Sequence, residues 1–296
     1  MNPTEKYRIL EKIDGAKKRK FAHTFLAENK ISGIKAILKT VQKTDANSII
    51  QDRLRKEAQF SFIVDGLPET LDFFESESEI FLFKSFQPGI ILSDYIDQFR
   101  PKEKAHQLFL VLEQLEPILE YIHQANIYHL DIKPSNIIVD SSKGIRVALI
   151  DFGLALNKNE IEIRKTLFPL GFAAPELLLN ELDLVDARTD YFSLGVSCWT
   201  CLQGRMPLID KNPSITTNLQ ITYPLPNLDS KFKQISPVIQ KLAAKHQFTL
   251  PPNKLTSEDR KSALKKGMDK RYASYSEFLS DFEKQLATKK KKWWLF

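Results

Sequence analysis

Apolar and polar residues alternate along YRILEKID (residues 7–14), FAHTFLA (21–27) and IKAILKTV (34–41), with the polar turns GAKKRK and NKISG between them. Alternation with a period of two sends successive side chains to opposite faces of a pleated strand, so three strands in succession are predicted. Residues 48–63 change to helical spacing, and residues 70–75 and 78–86 alternate again like a second hairpin. The opening 86 residues therefore predict a small, mostly antiparallel sheet that carries one helix.

After Pro88-Gly89 the pattern turns helical. Leu108, Val111, Leu112, Leu115, Leu119 and Ile122 recur at the spacing of one buried helix face within residues 104–125. Pro117 falls inside this run, and its missing N–H and its ring predict a kink or a break there. Residues 189–203 read as a second, buried helix, and residues 272–287 as an amphipathic helix. The proline-rich stretch 206–258 has little periodicity and yields no assignment. The chain contains no internal repeat.

Composition narrows the class. With 43% hydrophobic and 27% charged residues the chain is globular, not disordered. It has no apolar run long enough to span a bilayer and no apolar signal core at its start, so an intracellular, cytoplasmic location is expected. Two cysteines exclude a disulfide framework. A net charge of +6 is modest for this length and does not point to nucleic acid.

The chemistry concentrates in YHLDIKPSNIIV and, a short hairpin later, LIDFG. Two aspartates and an asparagine are bracketed by apolar strand residues. Asp131 and Asn136 share one loop, Asp151 ends the next strand, and a hairpin can bring all three together. Phosphoryl transfer requires this inventory: a carboxylate to accept the proton of the attacking hydroxyl, and oxygen ligands for magnesium. Lys133 is placed to neutralise a transferring phosphoryl group.

HLDIKPSN resembles the catalytic loop of the eukaryotic-like Ser/Thr protein kinases, and DFG matches that family's metal-binding motif. AILK, ending at Lys39, is similar to the third-strand lysine motif, with Glu57 where the family has its helix glutamate. FAAPE resembles the APE motif (Ala174, Pro175, Glu176), DYFSLG matches the helix whose aspartate (Asp190) braces the catalytic loop, and Arg271 stands where an arginine pairs with the APE glutamate. The resemblance implies an α+β, bilobal protein kinase-like fold: a small antiparallel β lobe with one main helix over residues 1–86, a larger, mostly helical lobe over 87–287, and a tail over 288–296. It further implies ATP and Mg2+ as cofactors and a protein Ser/Thr hydroxyl as acceptor. Asp131 would be the catalytic base, Lys133 the phosphate-contacting lysine, and Asn136 and Asp151 the metal ligands. Lys39, Glu57, Gly15, Ile37, Phe83 and Ile138 would serve the nucleotide, with Phe83 as gatekeeper before a hinge at Lys84 to Pro88.

The chain departs from the family in several places. The first hairpin keeps only Gly15 of the phosphate-covering glycines, and Ile37 stands where alanine usually faces the adenine ring; both support the alternative reading of a pseudokinase that binds nucleotide or acts as a scaffold. Leu130 replaces the arginine that usually binds a phosphate on the activation segment, where Thr166 is the one hydroxyl residue between 151 and 176; activity without phosphorylation of that loop is implied. Pro169 stands in place of a common threonine near the APE motif. Cys198 and Cys201 read as core thiols, and His129 as a packing and hydrogen-bonding residue. The tail KKKKWWLF, residues 289–296, joins lysines to interfacial aromatics, a mixture that suits an anionic membrane surface or an acidic partner groove.

Overall fold

The computed structural model describes residues 3–13, 22–160, 168–248 and 250–291. Two compact units emerge, Met1–Pro88 with Ala148–Leu154, and Gly89–Val147 with Ala155–Phe296. The first unit thus takes in a seven-residue strip, Ala148–Leu154, from far down the chain, which the sequence pattern assigns to the second.

In the first unit a short turn, α1 (Pro3–Lys6), leads into β1 (Tyr7–Lys12), followed by β2 (Ala22–Asn29), β3 (Lys35–Gln42), α2 (Ser48–Gln59), β4 (Thr70–Glu75) and β5 (Glu79–Ser85). The strands form one sheet in the order β1-β2-β3-β5-β4, every neighbour antiparallel. Cross-strand partners share a face. Leu38 opposite Phe83 therefore points to one side with Ala36, where these residues cluster with Tyr7 and Ala27. Val41 opposite Ile80, and Leu82 beside them, point to the other side and pack on Leu54 of α2. Lys39 is opposite Leu82, so it too lies on the α2 face.

The helix is tethered along its length. Gln51 Nε2 donates to the Thr44 carbonyl at 2.7 Å and to Asn47 Oδ1 at 2.6 Å, while Arg55 and Lys43 both reach Glu75 on β4, at 2.8 and 3.0 Å. At the far end Lys84, only 3% exposed, donates to the Phe60 carbonyl at 2.5 Å and to Thr70 Oγ1 at 2.8 Å. Helical spacing predicts α2 as far as residue 63, yet it stops at Gln59. Phe60 is extended, and Phe60 and Phe62 turn onto Phe152, with ring centroids 5.8 and 4.8 Å away.

The second unit begins with β6 (Ile90–Ile91), α3 (Leu92–Asp97) and α4 (Pro101–Gln124), then β7 (Ile127–Tyr128), β8 (Ile137–Asp140), β9 (Arg146–Leu149), which enters the first unit at Ala148, and β10 (Leu156–Asn157). α5 (Pro175–Leu178), α6 (Ala187–Gln203), α7 (Pro213–Thr222), α8 (Ser236–Leu242), α9 (Ser257–Met268) and α10 (Tyr275–Lys291) complete it. The predicted apolar face of α4 is fully buried, from Leu108 to Ile122. Phe109 packs on Phe282 of α10 at 5.7 Å, and Tyr275 donates to the Leu112 carbonyl at 3.1 Å.

Pro117 does not break α4. Proline frees the carbonyl four residues back, here that of Glu113. Glu113 and Pro117 are both exposed, so that carbonyl lies on the side where water can satisfy it. The prolines at 213 and 237 stand in the first turns of α7 and α8, where a missing N–H costs nothing. α6 is buried on every side, and its Cys198 and Cys201 are core thiols whose ionisation burial pushes up. Among the described residues no helix is long and apolar enough to cross a membrane.

Two measurements test this description. Pro117→Ala restores a backbone hydrogen bond on an exposed face, at the cost of some added unfolded-chain entropy, and is expected to raise stability by about 1–2 kcal/mol in urea unfolding. Burial lowers the pKa of Lys84 to about 8, against an opposing pull from Glu57. A depressed folded-state value makes this residue's stability contribution rise with pH above about 8 and level off near the ordinary lysine value, about 10.4. The stability of wild type minus that of Lys84→Met, measured from pH 7 to 11, is therefore expected to climb through that window; a flat difference contradicts it.

Candidate active site

In the first unit, the register of β3 against β5 delivers Lys39 to α2, and helix spacing turns Glu57 to meet it. Lys39 Nζ lies 2.6 Å from Glu57 Oε1, 2.8 Å from Oε2 and 3.1 Å from Asp151 Oδ1. Burial works against the ammonium, but Asp151 and Glu57 outweigh it and hold the Lys39 pKa above its ordinary value, so the group stays charged. Asp151 adopts a left-handed backbone, φ 71°, sparsely populated by residues other than glycine. The fully buried ring of Phe152 anchors this strained turn against Phe60 and Phe62.

Ile37 shares the Lys39 face and is half-buried. Phe83 does not share it. As the cross-strand partner of Leu38 it lies on the opposite face, stacked on Tyr7 with ring centroids 3.9 Å apart, so it cannot be the gatekeeper expected from the sequence. Its neighbour Lys84 is the residue opposite Ile37 and on the Lys39 face. Lys84 and Ser85 also belong to β5, so the segment without strand pairing starts only at Phe86.

In the second unit, the loop after β7 is held by one buried carboxylate. Asp190, on α6, accepts from the backbone amides of His129 at 2.9 Å and Leu130 at 2.8 Å, and His123 Nε2 lies 2.8 Å from it. Burial would raise the Asp190 pKa, but the His123 contact prevails and keeps it below the ordinary range. These bonds fix Leu130 in a left-handed conformation, φ 61°, and set the direction of Asp131. Asp131 Oδ2 accepts from Lys133 Nζ at 2.5 Å and Asn136 Nδ2 at 3.1 Å, while Asn136 Nδ2 also donates to the Asp131 carbonyl at 2.9 Å. Asp131 Oδ1 is buried and has no hydrogen-bond partner among the described residues. A buried carboxylate oxygen without a donor is costly, and it is free to accept a further hydrogen bond.

Ile138 is half-buried on β8, opposite Ile91. Arg271 and Glu176 form a fully buried pair, joined at 2.6 and 3.0 Å, as expected from the sequence. His129 is buried and accepts from the Asp131 amide at Nδ1. Gly15, Thr166 and the aromatic end of the tail lie outside the described residues. Sequence reading missed His123 and Lys84. The strand parity of Ile80, Leu82 and Lys84 was the available signal for the lysine; His123 carried none, because nothing local marks its partner on α6.

Comparison with known proteins bears on this geometry. The family described as protein kinase domain matches residues 18–278. Myosin light chain kinase family member 4 of Mus musculus is 28% identical over 222 residues, 73% of this chain and 56% of that protein. The carbon catabolite-derepressing protein kinase of Candida tropicalis is 28% identical over 264 residues, 86% of this chain and 40% of that protein. Serine/threonine-protein kinase PrkC of Bacillus subtilis is 29% identical over 211 residues, 68% of this chain and 31% of that protein. The chain spans about half the length of these relatives or less. A sheet unit carrying the lysine–glutamate pair, a helical unit carrying the braced Asp131 loop, and a family match over most of its length together mean that this chain belongs to the protein kinase family.

Proposed function

We propose that this chain is an active Ser/Thr protein kinase, moving the γ-phosphate of ATP to hydroxyl groups of proteins. The observation that carries the reading is the buried Oδ1 of Asp131, without a hydrogen-bond partner among the described residues and flanked by Lys133 and Asn136. A substrate hydroxyl hydrogen-bonded there would be oriented for attack. As its oxygen bonds to the γ-phosphorus and the bond to the β,γ-bridging oxygen breaks, the hydroxyl proton passes to Asp131 and ADP leaves. Lys133 balances negative charge on the transferring group.

The donor set suits magnesium and ATP. Asn136 spends its amide N–H on Asp131, which leaves its oxygen as a hard ligand, and Asp151 offers a carboxylate. Each would serve as a magnesium ligand, and the ion would neutralise phosphate charge. Lys39, kept charged by Glu57, would contact the α- and β-phosphates, with Ile37 toward the base. The rival reading, a nucleotide-binding scaffold, rests on Ile37 and on the single glycine of the first hairpin.

Leu130 is buried and offers no cation to a phosphorylated loop, so the activity is assigned as independent of activation-segment phosphorylation. Thr166→Ala is expected to keep the rate within about twofold, roughly 0.4 kcal/mol in barrier; a tenfold loss would show otherwise. Asp131→Asn is expected to slow transfer by about 10²- to 10⁴-fold and to leave ATP affinity within about threefold, because the base acts on the hydroxyl and not on the nucleotide. Labelled-phosphate transfer by purified wild type and variant, with ATP binding followed in parallel, decides the matter. Binding without transfer in wild type would establish the scaffold reading instead.

A further inference from the structure

β5 places a buried lysine on the sheet face that carries Lys39. Lys84 shares its sheet face with Ile80, Leu82, Ile37 and Lys39, and it is less exposed than Lys39. A leucine or methionine would pack at this place without the desolvation that an ammonium suffers. What the ammonium does is bond to the end of α2. Its Nζ donates to the Phe60 carbonyl and to Thr70 Oγ1, and that hydroxyl is within 3.2 Å of the Ala58 carbonyl and 3.1 Å of the Phe60 carbonyl. The Phe60 amide in turn donates to the carbonyl of Glu57 at 3.2 Å. Phe60 thus bonds to Lys84 through its carbonyl and to the Glu57 backbone through its amide, and a cation at a helix C-terminus is favoured by the helix dipole.

We propose that Lys84 is a positioning residue for the transfer step: its ammonium fastens the C-terminal end of α2 to β4 and β5 and so keeps Glu57 turned to Lys39. The clamp lies wholly within the first unit and needs no phosphorylated loop. Its catalytic consequence rests on the kinase reading above; its structural consequence does not.

The experiment therefore has two arms. In hydrogen exchange of the full chain, Lys84→Met is expected to speed exchange at the amides of residues 54–60 by at least tenfold and to leave those of β2 and β3 unchanged. Unchanged exchange at 54–60, or an equal rise across the sheet, overturns the clamp. Thr70→Val, which removes the hydroxyl half of the clamp, serves the same comparison if Lys84→Met does not fold. In the transfer assay, Lys84→Met is expected to lower kcat at least tenfold with peptide KM unchanged, and to slow a Glu57→Gln enzyme by less than twofold further. Independent, multiplying losses in the double variant overturn the positioning role, because a residue acting through Glu57 has nothing left to position once that carboxylate is gone. Absence of transfer in wild type overturns the kinase reading alone, and the exchange arm still decides the clamp.

Discussion

An ammonium ion can rest under a sheet only where oxygen atoms stand against it, and that condition organises the first unit. Lys39 satisfies it through Glu57 and Asp151, one drawn from α2 and the other from the strip Ala148–Leu154. To supply those oxygens the helix must lie with its Glu57 face to the sheet, and the strip must turn sharply at Asp151. The apolar neighbours follow: Leu54 falls on Val41, Ile80 and Leu82, and Phe152 packs on Phe60 and Phe62. Removing either carboxylate would leave a half-buried charge underpaired, a larger loss than that of an exposed ion pair.

The second unit repeats the logic with the sign reversed. Asp190 is a fully buried carboxylate that survives because two backbone amides and an imidazole face it, and in satisfying itself it fixes the loop that aims Asp131. Arg271 and Glu176 make a third such centre. Each of these groups is expensive to bury, and each holds a segment whose backbone conformation hydrophobic packing alone would leave undetermined.

Much of this was legible in the sequence because it is periodic or local. The alternation of β3 gave both the strand and the side on which Lys39 lies, and the spacing of Leu108 to Ile122 gave the buried face of α4. The motif residues Lys39, Glu57, Asp131, Asn136, Asp151 and Asp190 could be named from spacing and resemblance. What escaped depends on partners distant in the chain. Phe83 looked like a pocket residue until the register with Leu38 put it against Tyr7. The end of α2 meets Phe152, Lys84 and Thr70, which lie beyond any window that reads helical spacing. Pro117 carried a true penalty, but solvent exposure of Glu113 decided the outcome, and exposure is not written in a proline.

The strip Ala148–Leu154 also has a consequence for synthesis. The sheet and α2 are complete once the ribosome has passed Pro88, yet Phe152 and Asp151 are not translated until much later. At ordinary elongation rates of about 5–20 residues per second the gap lasts several seconds. During that interval the nascent first unit shows Phe60 and Phe62 without their partner ring, and Lys39 has one carboxylate in place of two. Its apolar edge is open to chaperones and to other nascent chains on the same messenger, and only emergence of the later strip closes it.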